Sequence, residues 1–209
     1  VLITEIFHSI QGEGPYAGLP MLFVRTNVCN IRCEWCDTKY SFYGGKEIPL
    51  SELLGIVKEA KEGWVCFTGG EPLVQRDALA FVKSVVDMGK NVLIETNGTI
   101  SIRNFVFSDR IFIDMDVKPP SAKVTKGFLM DNLRYLRKQD YLKIVIKDDT
   151  DLDFAIDFVD RYGEGLSFVF QPAWGSDIRR IADRIVGTGY NVRVLPQIHK
   201  IIYGDVPGV

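Results

Sequence analysis

Three cysteines stand close together in Val28-Cys29-Asn30-Ile31-Arg32-Cys33-Glu34-Trp35-Cys36-Asp37-Thr38, spaced C-x3-C-x2-C, and a fourth, Cys66, stands alone. Soft thiolates at this density select zinc, Cu(I) or an iron–sulfur cluster. A disulfide framework would spread its cysteines along the chain. A closed zinc site wants four ligands. The fourth would have to be His8, His199 or Cys66, none of which belongs to a close second pair. Three thiolates on a cubane of four irons leave one iron open to a small molecule's amine and carboxylate. The amino-acid end of methionine supplies both. Cys66, inside an apolar run, reads as an inert buried thiol.

Other polar residues with chemical potential follow β-rich runs. They are Thr68-Gly69-Gly70-Glu71, Glu95-Thr96-Asn97-Gly98, Asp116-Val117-Lys118 and Gln171-Pro172. The runs are Leu22 to Thr26, Trp64 to Thr68, Asn91 to Thr96, Ile111 to Val117, Tyr141 to Lys147, Leu166 to Phe170 and Asn191 to Leu195. Several are near-continuously apolar, as strands covered on both faces are. Helical periodicity lies between them. Ser51 is placed to cap one helix, and Asp77 to start another that closes at Gly89. Further helices are expected near 126–138, 151–162 and 176–187. Strands alternating with helices imply parallel βαβ units. The expected fold is α/β, an incomplete (β/α)6-type partial TIM barrel of parallel strands, with chemistry at the C-terminal strand ends.

The chain has 209 residues, 46% apolar and 25% charged, with a formal net charge of −2, which suits a single globular domain. No basic stripe argues for nucleic acid. No apolar run is long enough to span a bilayer, and the first residues lack the features of a signal peptide, so a cytoplasmic location is expected. The first residue is Val rather than Met, so a few native residues are expected to be missing.

The cysteine spacing, with Trp35 just before the third cysteine, resembles the radical S-adenosylmethionine superfamily. The segment Ile6-Phe7-His8-Ser9-Ile10-Gln11-Gly12-Glu13-Gly14-Pro15, then Arg25, then Asp37-Thr38-Lys39 after the cysteines, narrows the resemblance to the 7-carboxy-7-deazaguanine synthase family. It runs from Glu5 to His199-Lys200. It implies a carbon–nitrogen lyase that contracts 6-carboxy-5,6,7,8-tetrahydropterin to 7-carboxy-7-deazaguanine with loss of ammonia, in queuosine or archaeosine biosynthesis. The implied cofactors are a [4Fe-4S] cluster on Cys29, Cys33 and Cys36, S-adenosylmethionine, and Mg2+ on Thr38. The reductively cleaved cofactor would yield a 5′-deoxyadenosyl radical, which takes hydrogen from the pterin and returns it.

The resemblance further implies a substrate pocket of Ile10, Gln11, Gly12, Glu13, Arg25, Thr68 and His199. Arg25 would hold the substrate carboxylate. Glu13 would accept from its amino and ring N–H groups. Trp35, Cys36, Asp37, Gly70, Asp116, Val117, Lys118, Gln171, Pro172, Ala173 and Trp174 would meet the cofactor. Glu95 could accept from ribose hydroxyls or act as a base. The single domain would carry a substrate-binding segment over about 1–20, a cluster loop at 27–40 and a C-terminal extension at 201–209, and would pair as a homodimer served by a flavodoxin or ferredoxin. Where many relatives read Ser-Pro-Lys, this chain has Asp116-Val117-Lys118. Two other readings compete: another radical enzyme, such as a glycyl-radical activating enzyme, and a non-enzymatic zinc-binding module.

Overall fold

A computed structural model describes residues 1–125, 127–206 and 208. Lys126, at the start of the helix expected near 126–138, lies outside the described residues. So do Pro207 and Val209 of the C-terminal extension. The strands are β1 (Leu2–Ile10), β2 (Pro20–Thr26), β3 (Lys46–Glu47), β4 (Trp64–Gly69), β5 (Asn91–Thr96), β6 (Ile111–Asp116), β7 (Tyr141–Ile146), β8 (Phe168–Pro172) and β9 (Val192–Val194). The helices are α1 (Leu50–Glu59), α2 (Ala78–Asp87), α3 (Asp149–Tyr162), α4 (Ile178–Ile185) and α5 (Ile198–Tyr203).

All the strands lie in one sheet, ordered β3-β1-β2-β4-β5-β6-β7-β8-β9. From β2 through β4 to β9 every neighbouring pair is parallel, the arrangement of a partial barrel. β1 and β3 extend it antiparallel at the edge beyond β2. The segment expected only to bind substrate, about 1–20, therefore first builds a long edge strand. β1 reads Leu-Ile-Thr-Glu-Ile-Phe-His-Ser-Ile, and its β-branched and aromatic residues suit a strand half covered by the sheet's own side chains.

Two apolar layers hold the sheet. On the outer face Val65, Phe67, Val92, Ile94, Ile111, Ile113, Leu142, Ile144, Phe168 and Phe170 pack under the helices, which contribute Leu53, Val57, Phe81, Val85, Leu152 and Ile181. Each buried side chain of this size is worth about 1.5–3 kcal/mol. Inside the curve a smaller cluster of Met21, Phe23, Cys66, Leu93, Tyr141 and Val169 closes one end, with Tyr16, Trp64 and Phe112 against it. The Trp64 and Phe112 rings lie 4.6 Å apart.

Period-2 alternation turns that plug into a platform. Two residues further along the same strands come Arg25, Thr68, Glu95, Asp114, Lys143 and Gln171, after Phe23, Cys66, Leu93, Phe112, Tyr141 and Val169. The register sets Phe23 beside Cys66 and Arg25 beside Thr68, and Glu95 beside Asp114. An apolar layer is thus followed by a polar one toward the C-terminal strand ends.

Local differences have local causes. α1 begins at Leu50 after Pro49, one residue before the expected cap Ser51. Asp148 caps α3 by accepting from the Asp151 N–H at 3.1 Å, so that helix starts earlier than 151. The stretch near 126–138 forms only a 3-10 segment, Met130–Tyr135. There the buried Asn132 accepts from the Ile102 N–H at 3.0 Å and donates to Gly98 and Ile100 carbonyls. Those bonds fasten the chain to the loop after β5 in place of an α-helical ladder. The N-terminal edge strand and α5 have no counterpart among the expected elements.

Candidate active site

The polar platform and the cysteine loop face one cleft of about 590 Å3. Cys29, Cys33 and Cys36 line it, and Cys66 is buried below, outside its lining. Gly70 explains how the cysteine loop sits so close to β4. A Cβ there would come 2.2 Å from the Val28 carbonyl oxygen. The Glu71 N–H donates to that carbonyl at 2.9 Å, and the Asn97 amide reaches to 3.8 Å from the Cys29 sulfur. Three thiols at one wall with no fourth cysteine in the lining fit a cubane with one open corner. Of the other candidate ligands for zinc, His8 bonds Glu62 at 2.8 Å and Cys66 lies below the cleft, while the His199 ring packs against Gly12. Among the described residues, no three His, Cys, Asp or Glu side chains converge on a single ion. Burial pushes the Cys29 thiol up and that of Cys33 to about 11, so loading iron must expel protons.

The opposite wall holds the residues expected to meet substrate. Ile10, Gln11, Gly12, Glu13, Arg25, Thr68 and His199 all line the cleft. Glu95 is clasped between Thr68, whose hydroxyl donates at 2.6 Å, and Gln11, whose amide donates at 2.9 Å. Arg25 donates through Nε to Glu5 at 2.7 Å, and Tyr40 donates to the same oxygen at 2.9 Å. Among the described residues no partner engages the Arg25 Nη atoms, which leaves a planar edge for an anion.

The residues expected to meet the cofactor divide. Trp35, Cys36, Asp37, Gly70, Asp116, Lys118, Gln171, Ala173 and Trp174 line the cleft. Val117 and Pro172 do not: both are buried, and the Val117 side chain belongs to the outer core. Strand alternation turns them away, so only their backbones could contribute. Lys118 pairs with Asp116 at 3.1 Å and lies over the Trp35 ring at 5.7 Å. Burial alone would lower the Lys118 ammonium, but Asp116 carries it up to about 12. Thr38 lines the cleft with its hydroxyl 3.5 Å from the Cys36 sulfur.

Sequence reasoning missed Lys143 and Gln197. Glu13 accepts from Lys143 Nζ at 2.6 Å, from Gln171 Nε2 at 2.9 Å and from Gln197 Nε2 at 2.7 Å. Lys143 also donates to the buried Asp114 at 2.8 Å. The signal for Lys143 was a cation at an inward position of Tyr-Leu-Lys-Ile-Val-Ile, flanked by Tyr141 and Val145 on the same face. Gln197 had none, because it precedes a short helix whose placement depends on the N-terminal segment. The Ile198 N–H donates to the Gly12 carbonyl at 2.9 Å, and a Cβ on Gly12 would meet the His199 ring at 1.8 Å.

A partial barrel with a three-cysteine loop at its C-terminal strand ends defines a class, and residues 23–140 match the family described as Radical SAM superfamily. The cofactors of that class are a [4Fe-4S] cluster and S-adenosylmethionine, and the chain is an enzyme of it. A 7-carboxy-7-deazaguanine synthase of Koribacter versatilis is 37% identical, covering 96% of both chains. One of Methanospirillum hungatei JF-1 is 38% identical, over 96% of this chain and 84% of the relative. The chain belongs to the 7-carboxy-7-deazaguanine synthase family. The crystal structure of QueE from Escherichia coli superposes with a TM-score of 0.77 over 92% of each chain, at 20% identity, so the likeness there is of fold.

Proposed function

We propose that this chain converts 6-carboxy-5,6,7,8-tetrahydropterin to 7-carboxy-7-deazaguanine with loss of ammonia, in 7-deazapurine biosynthesis. The observation that carries this reading is the shared cleft. The three cysteines form one wall, and Arg25, Glu13, Thr68 and Gln11 form the other. Cys29, Cys33 and Cys36 would hold the cluster. When bound, the cluster and S-adenosylmethionine supply a hydrogen-abstracting carbon radical.

The chain's own residues orient the substrate. The free edge of Arg25 suits the carboxylate, and its Nε bond to Glu5 fixes the plane of the fork. Glu13 accepts from the amino and ring N–H edge. Gln11 and Thr68 hold Glu95 still beside the reacting ring. Gly70, Asp116, Lys118 and the Gln171–Trp174 stretch surround the cofactor. Thr38 offers a hydroxyl for Mg2+, a hard ion that takes oxygen ligands and retains waters. The active form is a homodimer in the cytoplasm, reduced by a flavodoxin or ferredoxin. No helix among the described residues is long and apolar enough to cross a membrane.

Anaerobic reconstitution with iron and sulfide, followed by incubation with S-adenosylmethionine, a reductant, Mg2+ and the carboxypterin, tests the reading. Mass spectrometry is expected to show the deazaguanine acid. A reduced, cluster-loaded protein that cleaves S-adenosylmethionine yet leaves the pterin untouched would overturn it.

A further inference from the structure

The least explained chemistry in the cleft is a buried ammonium. Lys143 is 3% exposed and carries no role in the family resemblance. We infer that Lys143 is a positioning residue that presents Glu13 to the substrate as a fixed carboxylate, so that the site selects a heterocycle with an N–H donor on the facing edge. This inference rests on the proposed substrate class and names what enforces it.

The geometry is specific to Glu13. One oxygen takes Gln171 and Gln197, and the other takes Lys143. The three donors come from β8, from the residue before α5 and from β7. A carboxylate has about four acceptor sites, so three bonds fix its plane and leave one, on the oxygen that Lys143 holds. Lys143 is not explained by Asp114 alone, since its Nζ also donates to Glu13 at 2.6 Å. A buried ammonium is tolerated only where such acceptors surround it.

Charge supports the same assignment. Burial by itself would raise the Glu13 carboxyl, yet Lys143, the Gln197 amide and His199 together bring it well below the usual carboxylate range. The titratable groups facing this spot are Lys143 and Tyr141 on β7, Asp114 and Asp116 on β6, Glu95 on β5 and His199 on α5. Without Lys143, burial would dominate and Glu13 would take up a proton at mildly acidic pH. An acid O–H would then meet the ligand's N–H, donor against donor.

The probe is the stable product, 7-carboxy-7-deazaguanine, titrated calorimetrically into the reconstituted holoenzyme with S-adenosylmethionine between pH 6 and 8.5. Wild-type affinity should vary little with pH. Lys143→Met should bind at least about tenfold more weakly at pH 6 and recover most of the loss by pH 8.5. Lys143→Met/Asp114→Asn removes the buried counter-charge as well and should show the same profile if the single variant folds poorly. Variants that match wild type throughout, or that are weakened equally at every pH, overturn the positioning role. A wild-type enzyme that does not bind the acid overturns the substrate reading itself, and this inference with it.

Discussion

Arg25 shows how much a single residue is asked to do. Its Nε is spent on Glu5, and its outer edge is the proposed anchor for the substrate carboxylate. Arg25→Ala should keep the cluster absorbance while weakening carboxypterin binding by about 2–5 kcal/mol, at least about thirtyfold in Kd. Unchanged affinity would remove Arg25 from that role. Glu71 predicts a pH effect on stability instead. Its carboxylate is wholly buried and accepts from the Leu73 N–H, the Thr96 hydroxyl and the Asn97 N–H, yet burial pushes it from 4.5 up to about 7. Between those values the unfolded chain has lost the proton and the folded chain keeps it. The stabilising contribution is therefore full below pH 4.5 and lost as pH rises through about 7, an effect of about 3 kcal/mol. Denaturant titrations at pH 5 and pH 8 should show wild type losing that much relative to Glu71→Gln, and equal slopes would refute it. The cysteines were legible because short spacing marks them, whereas the Gly-Gly-Glu turn gained its meaning from them and Arg25 from the family resemblance. Lys143 was not, because its partner Glu13 lies 130 residues away in sequence and only the register of β7 aims it there.

At the scale of elements, the cluster loop and the turn after β4 are interlocked by close backbone approach. Gly70→Ala would drive a methyl against the Val28 carbonyl, backbone that cannot swing aside. Reconstituted Gly70→Ala is expected to hold less than half the wild-type iron per chain, with the fold retained by circular dichroism. Full iron content would show that the loop tolerates the shift. Most strands and four of the five helices, α1 to α4, could be read from period and flanking residues. The failures share a cause. The connection between β6 and β7 had helical spacing, but Asn132 spends its side chain on three backbone groups of another loop, a tertiary demand that outweighs weak propensity. β1 was passed over because its segment was read for chemistry, and α5 is too short to show a period.

The whole molecule separates stability from chemistry along the barrel axis. At the end opposite the cleft, Arg137 donates to Asp140 at 2.9 Å, to the Ser108 carbonyl at 2.8 Å and to the Ile111 carbonyl at 2.6 Å, while Asp140 is 2% exposed. Arg137→Ala leaves the Asp140 carboxylate with the Ile113 and residue-137 N–H groups but no counter-charge, and should cost about 3 kcal/mol, roughly a 10 °C fall in Tm, with substrate affinity unchanged. A loss of affinity would show that the two ends are coupled. The layered sheet was visible in outline, since alternating strands and helices fix its type, but the antiparallel edge was not, because nothing local says which strand a terminal segment will join. One feature of that architecture reaches into biosynthesis of the polypeptide itself. Glu13 is held by Gln197, 184 positions later, and the Gly12 carbonyl by the Ile198 N–H. Ribosomes deliver about 5–20 residues each second, and early segments fold as they emerge. A nascent chain therefore takes about 10–40 s from Glu13 to Gln197, and the acidic half of its pocket stays slack for that interval while the strands between are added. Catalytic competence waits until Gln197 and α5 have left the exit tunnel and latched onto the Gly12-Glu13 segment.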